Sequence, residues 1–224
     1  MSYARVLWIH LQKDLRLEWR SKDAINGMLF FSLLVVVLFS FAFDPTTAAS
    51  RQIAGGILWV ALLFAAVTAL NQSWTRELRN QVLDAQRMAP AAPSALFLAK
   101  VLANFIFVTA VQIVLAPVFI VFYNLHALGQ ASLLFLVLPL GTLALVINGT
   151  FFGAISLRTR NRELLLPLIL FPISIPAVLA MVESTTAILT GEFDPGMWIQ
   201  LLAGYDIIFI TISLLLFATI LQAE

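Results

Sequence analysis

Residues 74–100 read WTRELRNQVLDAQRMAPAAPSALFLAK, a polar stretch between two long apolar runs. The stretch decides the fold because it shows which parts of the chain are spans and which are connections. Its first half has a helical pattern. Leu78, Val82, Leu83 and Met88 fall near one face, with Arg76, Glu77, Arg79, Asp84 and Arg87 mostly around it. Pro90 and Pro93 are expected to stop that helix. The pattern predicts a short amphipathic helix over 74–90 that docks a soluble partner and takes a push from it. Arg76, Glu77, Arg79, Leu83, Asp84, Arg87 and Pro90 are the residues expected to carry that contact.

The rest of the chain fits a membrane setting. Of 224 residues, 61% are hydrophobic and 11% charged, whereas soluble domains carry about 25% charged residues. Apolar runs predict six spans, roughly 24–43, 53–70, 101–122, 132–155, 164–182 and 197–221. The expected fold is an all-α polytopic membrane protein forming one domain over residues 1–224. Residues 1–22 repeat Val6, Leu7, Leu11, Leu15 and Trp19 at helical spacing, among Arg5, Lys13, Arg16, Arg20 and Lys22. That pattern reads as an interfacial helix on the bilayer surface, or as a helix packed on other protein.

Lys and Arg placement gives the orientation. Five lie in the N-terminal segment, four in the 74–100 stretch and three at Arg158, Arg160 and Arg162, with only Arg51 opposite. Both termini and both basic loops are therefore expected in the cytoplasm.

Several chemistries are missing. There is no cysteine, so disulfides, thiolate metal sites and iron–sulfur clusters are excluded. No phosphate-binding Gly-x-x-x-x-Gly-Lys-Ser/Thr occurs, so any ATP and Mg belong to another chain. Histidines occur only at 10 and 126, on opposite sides of the membrane, which leaves no catalytic set. No catalytic residue, metal site, bound cofactor or nucleic-acid partner is expected. His126 is either a haem-iron ligand or an ordinary loop histidine.

Three features inside the spans stand out. Asp206 is an acidic residue in the last span, expected to face protein or water, or else to lie near the interface. Gly149 and Gly153 form a small-xxx-small pattern for close helix packing, within the bundle or across a dimer. Pro172 and Pro176 remove internal hydrogen bonds from the fifth span, which reads as a hinge or as a static bend. The segment 183–197, with its Ala187-Ile188-Leu189 patch, is read as an outer output surface or as a seal on the bundle.

Glu77, Leu83 and Pro90 followed by Lys100 at the next span resemble the second-to-third-span loop of ABC-2-type permeases. Leu17-Glu-Trp-Arg20-Ser-Lys-Asp23, Phe39-Ser-Phe-Ala-Phe-Asp-Pro45, Asn148-Gly-Thr-Phe-Phe152 and Phe171-Pro-Ile-Ser-Ile-Pro176 are similar to the haem exporter protein B (CcmB) family. The resemblance covers essentially the whole chain. It implies the ABC-2 (type-2 exporter) permease fold, with an N-terminal interfacial helix and a cytoplasmic coupling helix docked on an ATPase. It implies two permease chains with a CcmA-like ATPase, a CcmC-like haem-handling subunit, a small CcmD-like helical subunit and a CcmE-like haem chaperone. Haem is the implied substrate, either exported directly or handled through ATP-driven release of the loaded chaperone in the periplasm. The implied location is a bacterial inner membrane. A permease for another amphipathic substrate and a non-transporting structural anchor are the alternatives.

Overall fold

The computed structural model describes residues 2–44, 47–79, 92–125, 130–156 and 162–222. They form α1 (Tyr3–Ser21), α2 (Asp23–Ala42), α3 (Ala48–Arg79), α4 (Pro93–Tyr123), α5 (Leu134–Ser156), α6 (Arg162–Thr190) and α7 (Gly196–Gln222). A single 3₁₀ turn, Ala131–Leu133, leads into α5. No strand occurs among the described residues. Six of the helices, α2 to α7, are long and apolar enough to cross a membrane, so the chain is a multi-pass membrane protein.

The helices overrun the expected spans. Hydropathy falls at Asn71-Gln72-Ser73, yet α3 continues to Arg79, because its polar side chains find partners at the end of the bundle. At 32 residues the helix is about 48 Å long, against a hydrocarbon core of about 30 Å. Pro93 does not terminate a helix. It opens α4 at its N-terminus, where its missing N–H has no intrahelical acceptor to lose. Likewise α6 runs on past residue 182 to Thr190, and Ala187, Ile188 and Leu189 are buried in it. That patch is not an exposed output surface; it belongs to the core at that end of the bundle.

At the centre, α3 packs on α2, α4, α5 and α6, and α7 packs on α4, α5 and α6. Without a hydrophobic force between apolar helices in lipid, small residues and side-chain hydrogen bonds hold such bundles together. Both occur at the α3–α5 contact. The Trp74 indole donates to the Thr150 carbonyl at 2.9 Å, and the Trp59 indole donates to Thr185 Oγ1 on α6 at 2.9 Å. Gly149 and Gly153 face Leu70 and Trp74 of α3, so their close approach is within the bundle. At the same stretch of α5, Asn104 of α4 donates to Thr150 Oγ1, and Asn148 donates to the Tyr205 hydroxyl of α7.

Between α1 and α2 the chain turns at Lys22, in the left-handed region at φ 56°. The Glu18 carboxylate holds that corner, accepting from the backbone N–H groups of Ala24 and Ile25. An acceptor there satisfies the free donors and the positive pole of α2.

Candidate functional site

Seven charged side chains meet where α1 crosses the ends of α3 and α4. The helix seats Leu11 on Ala99 and Ala103 of α4, with Leu7, Leu15 and Phe107 beside them. This packing turns Lys13, Asp14 and Glu18 towards α3. Lys13 Nζ lies 2.6 Å from Glu77 Oε1, and Lys100 Nζ lies 3.1 Å from the same oxygen. Lys100 also approaches Asp14 at 3.4 Å and Ser73 Oγ at 3.2 Å, and sits 4.7 Å over the Trp74 ring. A second group adjoins the first: Arg76 pairs with Glu18 at 2.7 Å and with Asp23 at 3.3 Å. Three helices and the start of α2 are thereby tied by one network. A cavity of about 70 Å³ lies beneath it, lined by Lys13, Glu18, Met28, Leu70, Arg76 and Asn104 among others.

The electrostatics follow from the geometry. Lys100 and Glu77 are 4% and 6% exposed, so their charges are compensated by one another rather than by water. Burial pulls the Lys13 ammonium down, but the Glu77 and Asp14 carboxylates outweigh it and hold Lys13 above its ordinary range. Burial and the Lys13 cation push the His10 imidazole below its usual value, against weaker opposing carboxylates.

Arg76 and Glu77, expected to face a partner, are engaged inside the chain. The physical reason is that α3 packs on α4 at this level and reaches α1 through ion pairs, so its polar side chains meet opposite charges. Arg79 closes α3. Leu83, Asp84, Arg87 and Pro90 lie outside the described residues, as does His126. Of the two readings of α1, the helix packed on other protein is the one observed, and its ion pairs with α3 and α4 were not foreseen. Its acidic residues were the available signal: a helix made only to lie on lipid has no use for Asp14 and Glu18 one turn apart, facing basic residues of another element.

Elsewhere, Asp206 is the eleventh residue of the 27-residue α7 and is 4% exposed, with neither carboxylate oxygen hydrogen-bonded among the described residues. It lies within protein, away from the helix ends. Pro172 and Pro176 sit in a helix that is continuous from Arg162 to Thr190. The neighbouring Ile173 carbonyl accepts from the Tyr205 hydroxyl at 2.9 Å, which braces α6 against α7 at the stretch the prolines loosen. Among the described residues, no group of three His, Asp or Glu side chains is placed to hold a metal ion.

The chain matches the CcmB protein family over residues 5–223. It is 33% identical over 173 residues to "Heme exporter protein B" of Rhodobacter capsulatus, covering 75% of this chain and 77% of that one. It is 28% identical over 204 residues to the protein of the same name from Bradyrhizobium diazoefficiens, with 91% of each chain covered. With the Pseudomonas aeruginosa protein of that name the identity is 27% over 203 residues, covering 90% of this chain and 91% of the other.

Proposed function

The chain belongs to the CcmB protein family, and from that premise we propose that it is the membrane-spanning permease subunit of a haem-export ABC transporter serving cytochrome c maturation. ATP is hydrolysed by a separate CcmA-like ATPase, and this chain turns that reaction into movement. The observation that carries the reading is the bridge between Glu77 and Lys100. These residues stand near the two ends of the 80–91 connection, one on α3 and one on α4. A push on that connection is delivered to both helices and, through Lys13 and Glu18, to α1. Leu83, Asp84, Arg87 and Pro90 are the residues proposed to meet the ATPase. Arg76 and Glu77 hold the platform behind them.

The lopsided basic residues support placing both termini on the cytoplasmic side of a bacterial inner membrane. Two permease chains work with two ATPases, and CcmC-like, CcmD-like and CcmE-like proteins act as partners on the haem path. Haem is cargo, not a resident cofactor of this chain. With no cysteine and only two histidines, the chain offers few ligands for haem iron. That favours ATP-driven release of a haem-loaded chaperone over passage of haem through the bundle.

The test uses the whole complex in membranes. Reversing Asp84 and Arg87 together is expected to lower ATPase copurification or uncouple hydrolysis while the bundle stays folded. ATP is expected to release haem-loaded chaperone from the unaltered complex. Normal assembly, hydrolysis and cytochrome c output in the reversed variant would remove the connection from the mechanism.

A further inference from the structure

A groove on the outside of the bundle follows the junction of α1, α2 and α4. It has a volume of about 600 Å³ and is lined by Leu15, Arg16, Trp19, Arg20, Ile25, Ile106, Phe107 and Ala110. Its walls are apolar apart from Arg16 and Arg20, which stand one turn apart on α1. The two arginines differ from the three cations of the charged network around Glu77 and Glu18. Lys13, Arg76 and Lys100 are all matched by Asp14, Glu18, Asp23 or Glu77. Among the described residues, Arg16 and Arg20 have no carboxylate within salt-bridge distance. Both are exposed, and Trp19 between them is 75% exposed.

The groove also has direction. Ala110 lies ten residues beyond the buried Lys100 along α4, about 15 Å deeper in the apolar helix. One end therefore presents two unpaired guanidinium groups and an indole, and the other runs along apolar side chains of α4, with Ile106 and Ala110 exposed and Phe107 half-buried. That is the layout of a lipid: an anionic head followed by an acyl chain. A zwitterionic head fits less well. Its ammonium needs an acceptor, and the nearby carboxylates of α1 are turned to the other side, where Asp14 and Glu18 are already engaged.

We propose that this groove binds one anionic phospholipid from the surrounding leaflet, with its phosphate between Arg16 and Arg20 and an acyl chain along Ile106, Phe107 and Ala110. Guanidinium groups match phosphate geometry through paired N–H donors, and the exposed Trp19 belongs at headgroup level.

The experiment is native mass spectrometry of the full chain, with its partner subunits where they copurify, released from bilayers of phosphatidylcholine and phosphatidylglycerol. The unaltered protein is expected to retain phosphatidylglycerol in preference to phosphatidylcholine. Arg16→Gln with Arg20→Gln is expected to weaken phosphatidylglycerol retention by about 30-fold, from two basic contacts. Ala110→Trp fills the apolar end without changing charge, at an exposed position where folding is not at stake. It is expected to weaken retention about tenfold, the worth of one or two buried methylenes. Unchanged retention in Ala110→Trp would mean a diffuse field around α1 and would overturn the site. So would a partner's helix lying in the groove of the assembled complex.

Discussion

Lys100 shows how one residue can fix a junction. An ammonium that is 4% exposed survives only because Glu77 and Asp14 compensate it, with Ser73 and the Trp74 ring completing its surroundings. Removing one partner of such a buried pair leaves an uncompensated charge, at a cost of about 3–5 kcal/mol. Glu77→Ala is therefore expected to lower the stability of the chain by that amount. Lys13→Ala removes a partly exposed cation and is expected to cost about 1 kcal/mol. Unfolding of the purified variants measures both, and equal losses would show that Lys100 does not depend on Glu77. Asp206 presents the reverse situation, a buried carboxyl group whose oxygens have no donor among the described residues. Asp206→Leu replaces the unpartnered polar group by an apolar one of similar size, and is expected to raise stability by about 1–3 kcal/mol. A loss instead would reveal a donor on which the carboxylate depends.

At the scale of elements, the contact of α3 with α5 depends on glycine where the larger helix leaves no room. A Cβ on Gly141 would meet the Trp59 ring at 2.3 Å and Met181 Sδ at 2.7 Å, while one on Gly149 would meet Leu70 Cδ1 at 2.1 Å. The leucine methyl ends a flexible side chain. The indole is rigid, fully buried and tied to Thr185. Gly141→Ala is thus expected to cost about 1–3 kcal/mol, and Gly149→Ala less, as read from unfolding midpoints. The six spans and the Gly149–Gly153 contact were legible because hydropathy and small-residue spacing are local signals. Gly141 was not, since nothing nearby in sequence announces Trp59 and Met181. The inward turn of Glu77 was hidden for the same reason: its partners are 64 and 23 residues away. Pro172 and Pro176 inside α6 are legible in sequence as lost backbone donors, but not as motion. Pro172→Ala with Pro176→Ala is expected to restore two backbone donors, leave assembly normal and trap haem-loaded chaperone on the complex. Normal cytochrome c maturation in that variant would make the prolines features of shape.

For the molecule as a whole, the question is which parts move together. The α1 helix has little reason to move apart from α3 and α4. It is joined to α4 by Leu11 on Ala99 and Ala103, to α3 by Lys13 on Glu77 and by Glu18 on Arg76, and to α2 by the Glu18 cap. Separating them would strand Lys100 and Glu77 together and reopen the first turn of α2, several costs incurred at once. Relative motion is easier where one element meets another through apolar contacts alone, as along much of α7. The chain has no cysteine, so a pair introduced at Leu11 and Ala103 is the only one available for cross-linking. Bridging it by a short bifunctional reagent is expected to leave ATP hydrolysis and haem-loaded chaperone release close to normal, because the two helices already travel as one body. Full arrest of release with hydrolysis continuing would mean that α1 must part from α4 in each cycle, and the network around Glu77 would then be a catch that opens rather than a rigid joint.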